Sequence, residues 1–142
     1  MTRRLAFAAA LLSAAPLSAS AAEKRAATIA DLYLVQGVAE PAIAPDGRSV
    51  AYAVTTTDLP AIQRRTRLWR VDADGWNPRA LTVTDKRDSS PAFSPDGTTL
   101  AFLSTRAGDP QVFLLPTAGG EAEKKTDVPG GVGAFKFTPD GK

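Results

Sequence analysis

The tripeptide Pro-Asp-Gly stands three times in this chain, at residues 45–47, 95–97 and 139–141, each time directly after a short run that mixes apolar and small residues. The chemistry of the three residues is that of a hairpin corner. Proline presets φ, the aspartate side chain hydrogen-bonds its own backbone, and glycine tolerates a left-handed closing conformation. The words around the corner also recur. SPAFSPDGTTLAFLST (Ser90 to Thr105) is matched by PAIAPDGRSVAYAVT (Pro41 to Thr55), and FKFTPDGK (Phe135 to Lys142) begins a third copy. A chain that repeats a hairpin in this way is repeating a structural module.

The alternation within the second strand of each hairpin says how the module packs. Val50, Tyr52 and Val54 alternate with Ala51 and Ala53, and Leu100 and Phe102 alternate with Ala101 and Leu103. One face is bulky and the other is small but still apolar, so neither suits water and the sheet is expected to be covered on both sides.

The repeat continues past the hairpin. TRLWRVDA (Thr66 to Ala73) matches QVFLLPT (Gln111 to Thr117) at an offset of 44, and at the same offset Asp72 to Thr82 lines up with Pro116 to Thr126. Each copy therefore predicts four short strands. Asp46 and Asp96 are 50 apart, six more than 44, which places an insertion in Thr57 to Arg65, expected to be an exposed hairpin tip. Four strands per copy with glycine-marked corners is the blade of a β-propeller, whereas a β-sandwich has no need of register-matched copies. The expected fold is all-β: a blade over 41–84, a second over 85–128, and the start of a third over 129–142. Such a ring is incomplete. Its open apolar faces predict that the isolated chain is marginal, partly disordered or prone to aggregate.

Before the blades, residues 22–40 hold one short helix. Thr28 with Asp31 three positions on has the capping-box spacing, which predicts a helix from Ile29 to about Gln36 with Gly37 as its stop. Two turns do not stand alone, so Ile29, Leu32, Tyr33 and Gln36 are expected to dock on the segment that succeeds the helix. Residues 1–21 read as a secretory signal: a basic Met1 to Arg4, an apolar Leu5 to Leu12, and a small-x-small site at Ala19 and Ala21. The apolar run is too short for a membrane span. Its loss removes Arg3 and Arg4 and leaves fifteen basic against fifteen acidic residues, so the mature chain has no electrostatic case for nucleic acid or an anionic membrane. Periplasmic or extracellular localisation is expected.

The residue types that are missing bound the chemistry. The chain has no histidine and no cysteine, so neither a Ser-His-Asp nor a Cys-His arrangement can be assembled from it, and zinc lacks its usual ligands. No GxxxxGK[ST] loop occurs, and Gly130, Gly131 and Gly133 precede no helix. Asp72, Asp74 and Gly75 faintly resemble a calcium loop, but Arg70 stands at the first ligand position and Leu81 where the bidentate glutamate belongs. Asp46, Asp96 and Asp140 are explained by their repeated place in the corner as turn caps. Arg64, Arg65, Arg67 and Arg70 make a basic cluster near the inserted tip, read as a solvated edge that discourages pairing rather than as a carboxylate site. Trp69 and Phe113 occupy equivalent third-strand positions and are assigned to blade packing. No catalytic, cofactor-binding or metal-binding residue is expected, and no cofactor.

From Thr28 to Lys142 the chain resembles the start of the propeller in the prolyl oligopeptidase family of serine peptidases, above all its bacterial acylaminoacyl-peptidase and dipeptidyl-peptidase-like members. The resemblance is carried by ADLYLVQGVAEPAIAPDGRSVAYAV (Ala30 to Val54), RLWRVDADG, and SSPAFSPDGTTLAFLSTRAGDPQVFLLPTAGGEAEKKT. It implies a propeller that covers a downstream α/β-hydrolase domain and restricts the access of peptide substrate. The nucleophile elbow, acid and histidine of that domain lie outside these residues, so no catalytic role is carried over. The competing reading is a TolB-type periplasmic propeller that binds protein partners without catalysis. Propellers of that type come after a sizeable N-terminal α/β domain, whereas only residues 22–40 separate the expected cleavage point from Pro41. A stand-alone structural or carbohydrate-binding propeller is a third possibility that nothing in the sequence selects.

Overall fold

The computed structural model describes residues 25–141; the expected signal over 1–21 lies outside them. The chain runs through one helix, α1 (Ile29–Leu34), and eight strands: β1 (Gly37–Ile43), β2 (Ser49–Asp58), β3 (Gln63–Asp72), β4 (Arg79–Ala80), β5 (Asp88–Phe93), β6 (Thr99–Ser104), β7 (Gln111–Pro116) and β8 (Glu123–Lys124). These form two separate four-stranded antiparallel sheets, ordered β1-β2-β3-β4 and β5-β6-β7-β8. The all-β, blade-like architecture expected from the repeat is the one observed.

The three corners are built alike. Gly47, Gly97 and Gly141 have φ of 68°, 72° and 81°, and each donates its amide to the carbonyl three residues back, on Ala44, Ser94 and Thr138. The outermost strands pair over only two residues, after which a threonine takes over. Thr82 Oγ1 accepts from the Leu68 amide, and Thr126 Oγ1 accepts from the Val112 amide, each at 3.0 Å. Both partners are 44 residues apart, so this side-chain continuation of the ladder is part of the module.

Each innermost strand carries an irregularity at a proline. β1 shifts register between Ala39 and Ala42 and β5 between Ser89 and Ala92. Pro41 and Pro91 have no amide for the ladder, and the residue before each, Glu40 and Ser90, is left-handed with φ of 55° and 54°.

The two sheets stack small against large. Ala51, Ala53 and Leu68 of the first blade meet Leu100, Phe102, Phe113 and Leu115 of the second in one buried cluster. Phe102 is fully buried and stacks on Phe113 with centroids 5.9 Å apart. The opposite face of the second blade, Ala101, Leu103 and Val112, is covered by Val132, Phe135 and Phe137 from the beginning of the third. The bulky face of the first blade has no second sheet over it among the described residues: α1 lies against β2 and Val54 is buried, but Ile43 is exposed, and Val50, Tyr52, Trp69 and Val71 keep partial exposure.

Two readings of the lead-in are corrected. The helix ends at Leu34, not near Gln36, because Val35 is already extended with φ −70° and ψ 122°. Gly37 is not its stop but the first residue of β1, paired with Thr55. The helix does lie against the succeeding strand β2, but its expected docking face is not buried by it: no residue of α1 is buried, and Ile29, Leu32 and Tyr33 are exposed. Its start is nonetheless fixed as the spacing suggests, with Asp31 accepting the Thr28 amide at 2.6 Å and the Arg25 guanidinium beside it holding the carboxyl well below the usual range.

Candidate functional site

A buried group of polar side chains lies at the seam between the two blades, and the elements that position it are β5, β6 and the loop after β6. Asp88 opens β5 and is fully buried. Its Oδ2 accepts from the Arg106 guanidinium at 2.8 Å, while Oδ1 has no hydrogen-bond partner among the described residues. Arg106 Nε donates to Ser104 Oγ at 2.9 Å. The guanidinium also lies over the rings of Phe102 and Phe113, 5.4 and 4.9 Å from their centroids. Arginine is suited to this place because its planar head can be hydrogen-bonded at the edge and stacked on its faces at once. The group closes one end of the inter-blade core.

A cleft of about 480 Å³ runs along the same seam, walled by residues 81–83 of the first blade and 120–122 of the second, with Arg106 and Leu115. A smaller one of about 160 Å³ opens between the two corners, lined by Asp46, Ser49, Arg70, Asp96 and Thr117. Its charges are mixed, and its hydroxyls are structural in part: Thr117 donates to the carbonyls of Gly97 and Thr98.

The carboxylates singled out by sequence are consumed by turns. Asp46 accepts the Arg48 amide at 2.9 Å. Asp96 accepts from the Ser94 hydroxyl at 2.6 Å and from both the amide and hydroxyl of Thr98. These bonds, the Ser94 hydroxyl foremost, hold its carboxyl below the usual range. Asp140 is bonded to the Thr138 hydroxyl in the third corner. At the faint calcium motif, Asp72 accepts from the Asn77 side chain and Asp74 from the Trp76 amide, and no cluster of three or more potential metal ligands occurs among the described residues.

The four arginines do not form one patch. Side chains alternate along β3, so Arg65 and Arg67 share one face and Arg64 and Arg70 the other. Arg65 pairs with Asp58 and Asp85 at 3.5 and 3.4 Å, and Arg67 with Asp85 at 3.7 Å. The inserted tip extends the β2–β3 ladder as far as Asp58 opposite Gln63, so it lengthens the hairpin instead of forming a loose loop. Trp69 and Phe113 sit at the same blade position; Phe113 is buried by the neighbouring blade, and Trp69 faces the uncovered side.

Sequence reasoning does not single out Asp88, Arg106, Glu40 or Ser90. The available signals were the Glu-Pro and Ser-Pro steps in the first strands, and an arginine two residues past the end of β6 with an aspartate eight residues ahead of a corner. In chemical terms the seam pairs no hydroxyl with a base. Its polar group, Asp88, Ser104 and Arg106, is bonded within the second blade.

The family PD40, described as the TolB beta propeller domain, matches residues 21–142. Among curated proteins, the chain is 36% identical over 120 residues to the uncharacterized peptidase YuxL of Bacillus subtilis, covering 84% of this chain and 18% of that protein. It is 39% identical over 71 residues to the Tol-Pal system protein TolB of Methylococcus capsulatus, covering 50% of this chain and 17% of that one. The chain thus spans less than a fifth of these relatives. Among solved structures, the acylaminoacyl peptidase of Pyrococcus horikoshii superposes with a TM-score of 0.55 at 20% identity, over 66% of this chain and 14% of that one, a likeness of fold.

Proposed function

We propose, for a chain that belongs to the PD40 TolB beta propeller family, that it forms the non-catalytic front of the propeller in an exported serine peptidase, where it restricts the access of peptides to an α/β-hydrolase domain of the same polypeptide. The observation that carries this reading is the match to a protein named as a peptidase over 84% of the chain, wider than the 50% shared with the TolB relative. Two features support it. The chain has no histidine or cysteine and the seam no hydroxyl-base pair, so hydrolysis would fall to another domain. Its first residues carry the pattern of an export signal.

The test is to express the complete gene product and treat it with a fluorophosphonate probe, then map the labelled residue. A labelled serine beyond residue 142, with loss of peptide hydrolysis on its replacement by alanine, supports the reading. A complete product with several further blades, no labelled serine and no peptide hydrolysis refutes it. That outcome favours the second reading, a propeller that binds protein partners, whose support is the 39% identity to TolB over 71 residues.

A further inference from the structure

The two left-handed residues of the inner strands are joined across the blade boundary. Ser90 lies at the irregularity of β5, where the ladder to β6 is interrupted, and its amide instead donates to Glu40 Oε2 of β1 at 2.6 Å, across 50 residues of sequence. Glu40 stands at the same irregularity of β1, also before a proline and also at positive φ. Neither residue is glycine, and left-handed backbone is disfavoured for both. The conformation that disfavours them locally is also the one that turns an amide out of one sheet and a carboxylate out of the other so that they meet. A carboxylate accepting from a backbone amide is among the stronger hydrogen bonds available to an exposed site.

The bond is not a general feature of the seams. At the second seam the place of the Glu40 acceptor is held by Ser90, an uncharged hydroxyl, and the place of the amide donor, 44 positions on, by Ala134, which is not among the positive-φ residues. The seam between the second blade and the third is covered by apolar side chains, Val132, Phe135 and Phe137 on Ala101, Leu103 and Val112, and by the Val132 amide on the Pro110 carbonyl. The first seam has both its apolar core and, at the inner strands, the Glu40 carboxylate.

We propose that Glu40 is a positioning residue that pins the inner strand of the second blade to that of the first, so that separating the inner strands at this seam breaks a charge-assisted bond that the next seam lacks. The pin is independent of whether the complete protein is a peptidase or a binding protein. In either case it makes the second seam the easier one to part at the inner edge.

The experiment is hydrogen exchange followed by mass spectrometry on the complete gene product, comparing the segment that contains Ser90 with the buried β6 segment at residues 100–104. In Glu40→Ala, exchange at Ser90 is expected to rise by about tenfold or more while residues 100–104 keep their protection. In Glu40→Gln, whose amide oxygen still accepts, Ser90 stays within roughly threefold of the parent. Unchanged exchange at Ser90 in Glu40→Ala overturns the pin. If Glu40→Ala loses protection everywhere, Glu40→Gln and Glu40→Asp decide: protection at Ser90 must survive in the first and fail in the shorter second, and any other order overturns it. Neither result bears on the fluorophosphonate labelling, so the two readings fail separately.

Discussion

Phe102 and Tyr52 hold the same position in successive copies, and replacing each by alanine isolates what a neighbouring blade contributes. Phe102 is fully buried, stacked on Phe113 at 5.9 Å and inserted against Ala51 and Ala53. Truncating it removes the transfer free energy of the ring and leaves a cavity that the adjoining alanines are too short to fill, a loss of about 3–5 kcal/mol. Tyr52 faces its cross-strand partner Trp69 but no second sheet, so its truncation removes mainly same-sheet contact, about 1–2 kcal/mol. The assay is urea unfolding of the chain followed by far-ultraviolet circular dichroism. With a slope of about 2 kcal/mol per molar, the midpoint should fall by roughly 2 M for Phe102→Ala and by less than 1 M for Tyr52→Ala. Equal shifts, or a Phe102→Ala shift below about 0.5 M, would refute the large-into-small seam. In a longer protein whose further blades cover Tyr52, the two costs should converge.

Three other outcomes are expected. Gly97→Val should cost about 1–2 kcal/mol from the left-handed backbone alone, because a Cβ there meets nothing closer than Pro45 Cδ at 3.5 Å; thermal unfolding checks it, and an unchanged midpoint would mean the corner relaxes to another turn. Thr126→Val removes the acceptor of the Val112 amide and the donor to Gln111 Oε1, and should cost about 1–3 kcal/mol, with faster exchange of the Val112 amide as its signature. For pH, Asp96 has a folded-state pKa below the ordinary 3.8, so its contribution is complete above that value and is lost as pH falls through the lower folded one. Asp96→Asn should therefore flatten the acid limb of a stability profile below about pH 4 and leave the region above pH 5 parallel to the parent; a profile of unchanged shape would show that the corner bonds do not depend on the charge.

The blades are legible in the sequence because their determinants are local and repeated. A Pro-Asp-Gly corner is encoded in three adjacent residues, and two-residue alternation fixes which side of each strand is bulky, so Val50–Val54 and Leu100–Leu103 fall in different sheets as the register requires. The equivalence of Trp69 with Phe113 comes from the same offset. The end of α1 is not legible because Gly37 is equally a helix stop and a strand opener, and the choice is made by Thr55, eighteen residues away. The pairing of Arg65 and Arg67 depends on Asp85, which no short-range pattern ties to either. Asp88 with Arg106 and Glu40 with Ser90 stay invisible for a similar reason: each partner alone reads in sequence as an ordinary polar residue, and only the folded chain brings them together.

Because the four strands of each sheet are consecutive in sequence, no segment has to wait for a distant one before its ladder closes. As synthesis proceeds, the nascent polypeptide can finish its first sheet while the second is still unmade, and every later one then has a finished template to settle against. Growth of this kind is directional: it adds at the C-terminal side and leaves the founding sheet with its aromatic flank turned outward until the last addition arrives. That flank, carrying Tyr52 and Trp69, is the surface on which a premature arrest would be felt as stickiness toward other chains or the chaperones that patrol them.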